Sequence, residues 1–202
     1  MNIGIDIDNT ITRTSEMIMK YANIYGKENN LPTELDLTKY FLEDSLKWSQ
    51  ENIDRFLDNC LIDAYKRVDP KENAAEVIRE LHKTNYITLV TSRNQQFQSL
   101  TETTLNWLND NKIEYDKLIM NNTENMHHFS KLSVCMENNV EVMIEDHHDL
   151  AYELSERIPV LMFDYPYNAH MVADNIIRIT NWRQVPTIIA RLDHTQNQYD
   201  CR

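Results

Sequence analysis

Glycine is nearly missing from this chain. Gly4 and Gly26 are its only two in 202 residues. Neither a G-x-G-x-x-G dinucleotide turn nor a G-x-x-x-x-G-K phosphate loop can therefore be written, which removes Rossmann dehydrogenases and P-loop ATPases. Cysteine is scarce and scattered at Cys60, Cys135 and Cys201, with no C-x-x-C, so neither a disulfide framework nor a zinc site is expected. No run approaches about 18 apolar residues, so no membrane span is expected. The first residues lack a basic start and a long apolar core, so no secretory signal is expected and a reducing cytoplasm is the default location. Cations are few as well: 20 Lys and Arg face 32 Asp and Glu, a net charge of −12. Nucleic-acid polymers and anionic membranes demand a basic face and are poor partners for such a surface. A small anion held by a metal ion and a few local cations is still admitted. Hydrophobic content of 42% with 26% charged residues reads as globular, with length for one core and a modest second unit.

The chain is organised around Ile3-Gly4-Ile5-Asp6-Ile7-Asp8-Asn9-Thr10. Alternating isoleucines predict a strand. Asp6 and Asp8 then share one side of its end, roughly 6.6 Å apart at a rise of about 3.3 Å per residue. Two carboxylates that close repel each other unless a cation intervenes. A hard ion with oxygen ligands, such as Mg²⁺, relieves that repulsion. Alone, a D-x-D-x-T reads first as a turn cap beside a solvated acid.

After Thr10 the pattern turns helical, with Met17, Tyr21 and Ile24 on one face, Thr14 or Ser15 as the cap, and Gly26 and Pro32 closing it. Asp36 to Tyr40 reads as a short helix and Ser49 to Cys60 as a longer one, while Ala64 to Val68 is ambiguous. Nothing from Arg13 to Val68 reads as a strand, so residues 13–68 are taken as a helical insertion. Asp69-Pro70-Lys71-Glu72 has the pattern of a helix start, with Asp69 as N-cap and Pro70 in the first turn. Short strands are then expected at Tyr86 to Val90, Tyr115 to Met120, Val140 to Ile144, Pro159 to Phe163 and Ile176 to Ile179. Helices alternate with them, the last carrying Val185, Ile188, Ile189 and Leu192, and the polar tail from His194 is expected to fray. This alternation predicts a parallel sheet flanked by helices, with the first strand in the same sheet.

In such sheets ligands bind at the carboxyl ends of the strands. Those ends carry Asp6 and Asp8; Thr91, Ser92 and Arg93; and Glu145 and Asp146, with Lys131 opening the helix before the last of these strands. Set in that order, Asp6-Ile7-Asp8-Asn9-Thr10, Thr91, Lys131 and Glu145-Asp146 resemble the four motifs of the haloacid dehalogenase-like (HAD) phosphohydrolases. The helical insertion, the Thr-Ser pair and the paired acids resemble most the cytosolic deoxyribonucleotidase branch. Asn9 stands where many members have Gly, and Glu-Asp where that branch often has two aspartates.

The resemblance implies a three-layer, Rossmann-like α/β core (1–12 and 69–202) with a small helical cap (13–68) inserted after the first strand. It implies Asp6 as nucleophile and Asp8 as acid–base. Mg²⁺ would be held by Asp6, the Asp8 carbonyl and Asp146, with Glu145 in support. Thr91, Ser92, Arg93 and Lys131 would hold the phosphate. The implied substrate is a small phosphorylated metabolite, foremost a nucleoside monophosphate. A homodimer is admitted. Other readings stand beside these. Thr91 and Ser92 also suit a helix cap, Lys131 a solvated helix start, and Arg93 a surface ion pair. His147 and His148 are adjacent and poorly suited to Mg²⁺, and His127-His128 has no partner at zinc spacing. Tyr165-Pro166-Tyr167-Asn168 reads as a site rim or a plain turn. Among Tyr21, Tyr25, Tyr40, Phe41, Trp48 and Phe56, most are expected in the insertion's core and one or two against a nucleobase. Rival functions are a sugar-phosphate phosphatase or phosphotransferase, and a catalytically silent phosphate-binding module.

Overall fold

Among the described residues six strands, all parallel, form one sheet in the order β3-β2-β1-β4-β5-β6. They are β1 (Asn2–Ile5), β2 (Tyr86–Asn94), β3 (Lys117–Asn121), β4 (Val142–Glu145), β5 (Val160–Phe163) and β6 (Ile176–Ile179). Among the described residues there are eight α-helices: α1 (Thr14–Glu28), α2 (Leu42–Leu46), α3 (Gln50–Arg67), α4 (Ala74–His82), α5 (Gln98–Asp110), α6 (Lys131–Glu137), α7 (His148–Ser155) and, after the last strand, α8 (Val185–Tyr199). The structure is a computed structural model that describes residues 1–123 and 129–199, with side chains described through 194. His127, His128 and Cys201 lie outside the described residues.

The strands are short apolar runs because both faces are covered. On one face Ile3, Ile5, Ile87, Leu89, Val142, Ile144, Leu161 and Phe163 pack with Ile78 of α4, Trp107 and Leu108 of α5, and Val185 of α8. On the other, Val90, Met143, Val160 and Met162 pack with Cys135 of α6 and Ala151 and Leu154 of α7. This is the three-layer α/β fold expected. Gly4 faces the second layer, where an added Cβ would come within 2.6 Å of Met143 Sδ and 2.8 Å of Val140 Cγ1. A larger residue there would push β1 off β4.

Helices α1 and α3 pack around a separate apolar cluster of Ile18, Ala22, Leu46, Trp48, Ile53, Phe56 and Ala64. Tyr25, Trp48 and Phe56 meet edge-on or tilted within it. The chain enters and leaves this insertion side by side. Thr12 and Pro70 form an isolated antiparallel bridge, Arg13 N donates to Asp69 O at 2.9 Å, and Lys71 N to Ile11 O at 2.7 Å.

That bridge corrects one expectation. Asp69-Pro70 does not open a helix, because its backbone is paired with the segment leaving β1. Helix α4 begins at Ala74, after Asn73 with φ 63°. The short helix falls at α2 rather than at Asp36 to Tyr40, where Asp36 accepts from Thr38 N and Oγ1 in a local turn. Helix α3 continues through the ambiguous stretch to Arg67 because Ala64 and Tyr65 find partners on its inner face. Strand β2 runs on to Asn94, where pairing with Asn121 of β3 extends it past a register shift. Helix α8 likewise runs past His194 to Tyr199.

Candidate active site

Strand order reverses at β1, which has β2 on one side and β4 on the other. The crevice at such a switch point is where a parallel sheet binds ligands. Asp6 follows β1 directly, its N–H still donating to Ile144 O of β4 at 3.0 Å. Glu145 ends β4 and Asp146 follows. All three acids are buried, and one carboxylate oxygen from each lies within 4.8 Å of the others.

Lys131, the first residue of α6, is 2% exposed and donates to Asp6 Oδ1 at 2.5 Å and Glu145 Oε2 at 2.8 Å. Ser130 caps α6 by accepting from Ser133 N, which fixes the turn that delivers this lysine. One ammonium between two carboxylates remains charged well above the ordinary lysine range, against the opposing effect of burial. It does not neutralise the whole cluster. Burial, only partly offset by Lys131, and the neighbouring acids raise Asp6 well above the usual carboxylate range. Burial first and then the Glu145 charge push Asp146 up to about 8. The chemistry of the donor set therefore fits a hard dication: three buried carboxylates, oxygen only, short of positive charge.

The three acids differ in how they are held. Glu145 Oε1 accepts from the backbone N–H of Asp146 and of His147, both at 3.1 Å, while Oε2 takes Lys131. Asp146 Oδ2 accepts from the Tyr167 hydroxyl at 2.5 Å and Oδ1 from Thr10 Oγ1 at 3.3 Å. Asp6 Oδ2 accepts from no group among the described residues.

Asp8 belongs to a different set. Arg93 clasps it with Nε on Oδ2 at 2.9 Å and Nη2 on Oδ1 at 2.7 Å, and Thr14 Oγ1 donates to Oδ1 at 2.6 Å. Burial works to raise its carboxyl, but the Arg93 charge and these hydrogen bonds prevail and hold it below the usual range. Arg93, expected at the substrate, is instead 1% exposed and turned to Asp8. Thr14, expected as a helix cap, gives its hydroxyl to the same carboxylate. Asn9 Oδ1 accepts from Ser15 N at 2.7 Å instead. The chain turns at Asn9 with φ 58°, a left-handed conformation that asparagine adopts more readily than most residues, which accounts for Asn in place of Gly. Thr91 is fully buried and its Oγ1 accepts from Arg93 N at 3.2 Å, leaving its own proton to donate; Ser92 beside it is half-buried.

Several site residues were not assigned from sequence. In the turn after β5, the Tyr165 hydroxyl donates to Asn9 O at 3.0 Å and the Asn168 amide to Asp146 O and Phe163 O, each at 2.7 Å. Lys71 donates to the Tyr165 hydroxyl at 2.7 Å over the Phe163 and Tyr165 rings, and burial lowers its ammonium to about 8. The only signal for this layer was a polar, aromatic turn at a strand end. His147 caps α7, with Nδ1 accepting from Asp149 N and Leu150 N. From the insertion, Tyr40 meets the His147 ring at 4.0 Å and Tyr167 at 5.3 Å, with 36% of its surface exposed. Burial and the charges of Asp146 and Asp6 raise its phenol well above the ordinary range.

Known proteins share this fold. The fold matches a haloacid dehalogenase-like family hydrolase of Streptococcus pneumoniae at TM-score 0.69 and 14% identity, over 93% of this chain and 97% of that one. It also matches a HAD family hydrolase of Deinococcus radiodurans, solved with phosphate and sodium bound, at TM-score 0.65 and 11% identity over 95% and 96% of the two chains. A nucleotidase of Clostridium acetobutylicum is 34% identical over 193 residues, 95% of each chain. The family model described as "5' nucleotidase, deoxy (Pyrimidine), cytosolic type C protein" matches residues 1–194. The chain belongs to that nucleotidase family, within the HAD fold, and is a hydrolase of phosphoric monoesters.

Proposed function

We propose that the protein is a Mg²⁺-dependent 5′-nucleotidase acting on nucleoside or deoxynucleoside monophosphates through an aspartyl-phosphate on Asp6. The observation that carries the reading is that two carboxylates only two residues apart in the chain are held in different ways. Asp6 sits buried in an electron-rich cluster with one oxygen uncommitted, while Asp8 is held apart by Arg93 and Thr14.

Asp6, the Asp8 carbonyl and Asp146 would hold the ion, and Glu145 would orient them through Lys131 and the backbone. Bound Mg²⁺ supplies electrostatic neutralisation of a phosphoryl oxygen. Asp6 attacks phosphorus in line, and Asp8 protonates the leaving oxygen. Asp8 then takes a proton from the water that attacks phosphorus as the Asp6 ester breaks. Thr91 and Ser92 donate to the transferred phosphoryl oxygens, and Lys131 acts on them as a point charge.

Residues 13–68 are the cap. The paired junction at Thr12 and Pro70, six residues after Asp6 in the chain, supports this reading. Of the aromatics considered from sequence, Tyr25, Trp48 and Phe56 are spent on the insertion's own packing, whereas Tyr40 stands at the acids with part of its surface open. Tyr40 is our candidate for the base. A roof of this kind admits free monophosphates and excludes phosphoproteins and nucleic-acid ends. The family description supports a cytosolic location, and no helix among the described residues is long and apolar enough to cross a membrane.

The test is turnover of a panel of monophosphates at fixed Mg²⁺, with and without EDTA, alongside Asp6→Asn. Nucleotides should give the highest kcat/KM, EDTA should abolish turnover, and Asp6→Asn should fold but not turn over. A clear preference for a hexose phosphate overturns the substrate assignment. Wild-type turnover by Asp6→Asn overturns the covalent route.

A further inference from the structure

Arg93 has a place in this site that substrate contact does not explain. Its side chain is 1% exposed, and its guanidinium meets three elements at once. Nε and Nη2 grip both oxygens of Asp8 after β1, at 2.9 Å and 2.7 Å. Nη1 donates to Thr104 Oγ1 of α5 at 3.1 Å, and that hydroxyl donates onward to Leu100 O at 2.8 Å. The Tyr65 ring of α3 covers its face, with Cζ 3.9 Å from the ring centre. Its own N–H is fixed on Thr91.

We infer that Arg93 is a positioning residue for the acid–base carboxyl of Asp8, and that through Tyr65 it links the placement of that carboxyl to the helical insertion. The inference rests on the proposed role of Asp8. A two-point grip fixes the plane of a carboxylate as well as its place, which a single ammonium cannot do. It also distinguishes the two oxygens. Oδ1 accepts from both Arg93 and Thr14, whereas Oδ2 accepts from Arg93 alone among the described residues. Oδ2 therefore keeps the lone pair on which a catalytic proton can sit. In the first half-reaction an Asp6 oxygen bonds phosphorus as the ester P–O bond breaks. The electron pair of that bond stays on the leaving oxygen, which takes a proton brought in on the phosphate monoester monoanion and passed to it through Asp8 Oδ2. In the second, Asp8 Oδ2 takes a proton from the water whose oxygen bonds phosphorus, and the pair of the Asp6–phosphorus bond returns to Asp6. Arg93 neither gains nor loses a proton.

Leaving-group dependence tests this. Single-turnover phosphoryl transfer is measured with a nucleoside 5′-monophosphate, whose alkoxide needs a proton, and with p-nitrophenyl phosphate, whose phenolate leaves without one. Wild type, Asp8→Asn, Arg93→Lys and Tyr65→Leu are compared at saturating Mg²⁺. Inhibition by inorganic phosphate reports ground-state binding. Asp8→Asn should lose about 10²- to 10⁴-fold on the nucleotide and much less on the aryl ester. Arg93→Lys should repeat that asymmetry at about 10-fold or more, with phosphate inhibition little changed, and Tyr65→Leu should repeat it more weakly. Equal losses on both substrates for Arg93→Lys, or a loss confined to phosphate inhibition, overturn the inference while Asp8 keeps its role. Symmetric losses in Asp8→Asn overturn the acid–base reading itself and this inference with it. Should Arg93→Lys fail to fold, Tyr65→Leu and Thr104→Val decide by the same asymmetry.

Discussion

The Tyr167 hydroxyl donates to Asp146 Oδ2 at 2.5 Å, from a turn 21 residues further along the chain. The contact fixes the one acid of the cluster that neither Lys131 nor a backbone N–H holds. Groups behind a metal ligand commonly matter about 10- to 100-fold in ion affinity. Tyr167→Phe should weaken Mg²⁺ binding by roughly that factor, measured by calorimetric titration, with little loss of fold. Asn168→Ala should instead destabilise, because it strands two buried carbonyls at about 1–3 kcal/mol each. Unchanged Mg²⁺ affinity in Tyr167→Phe would show that Asp146 needs no such support.

Lys131 is the sole cation between Asp6 and Glu145 among the described residues. Removing one partner of a buried ion pair costs about 3–5 kcal/mol. Lys131→Met should lower the thermal midpoint accordingly, and added Mg²⁺ should raise that of the variant more than that of wild type. An equal rise in both would mean that lysine and ion do not answer the same charge.

Tyr40 supplies a substrate test. Stacking a base on an aromatic ring contributes roughly 1–3 kcal/mol, or roughly 5- to 150-fold. Tyr40→Ala should raise KM for nucleoside monophosphates within that range and leave glycerol phosphate unaffected. A similar rise for both substrates assigns Tyr40 to site closure rather than to the base.

His82 gives a pH dependence remote from the acids. Its Nε2 lies 3.1 Å from Asp116 Oδ1, whose other oxygen accepts from Ile87 N at 2.7 Å. The hydrogen bond to Asp116 raises the imidazole above its ordinary value. A raised folded-state pKa stabilises fully below the unfolded value of about 6.5, and the gain is lost as pH rises through the folded value. The difference in thermal midpoint between wild type and His82→Ala should therefore be larger at about pH 5.5 than at about pH 9. A difference that does not shrink on going alkaline would contradict the assignment.

The layout of the core was legible in the sequence for a local reason. Ile3, Ile5 and Ile7, Val140 to Ile144 and Pro159 to Phe163 are short apolar runs between helical periods, and strands buried on both faces carry no other pattern. The polar residues that end those runs, Asp6, Glu145 and Asp146 among them, come together at the carboxyl edge of the sheet. Capping was less legible. Asp69-Pro70 had every local feature of a helix start, and a backbone bridge to Thr12 overrode it.

What the sequence by itself determined is which polar residues stand at the ends of the apolar runs, Asp6, Asp8, Thr91, Glu145 and Asp146, and that Lys131 opens the helix before the last of them. Each is set by position relative to a local apolar run. What only the tertiary structure decided is who holds whom. Arg93 grips Asp8 from 85 residues away, Tyr165 supports Asn9 from 156, and Tyr65 covers Arg93 from another helix. Such pairings depend on which strands become neighbours and on how an insertion folds back over them. No local period in the chain records either.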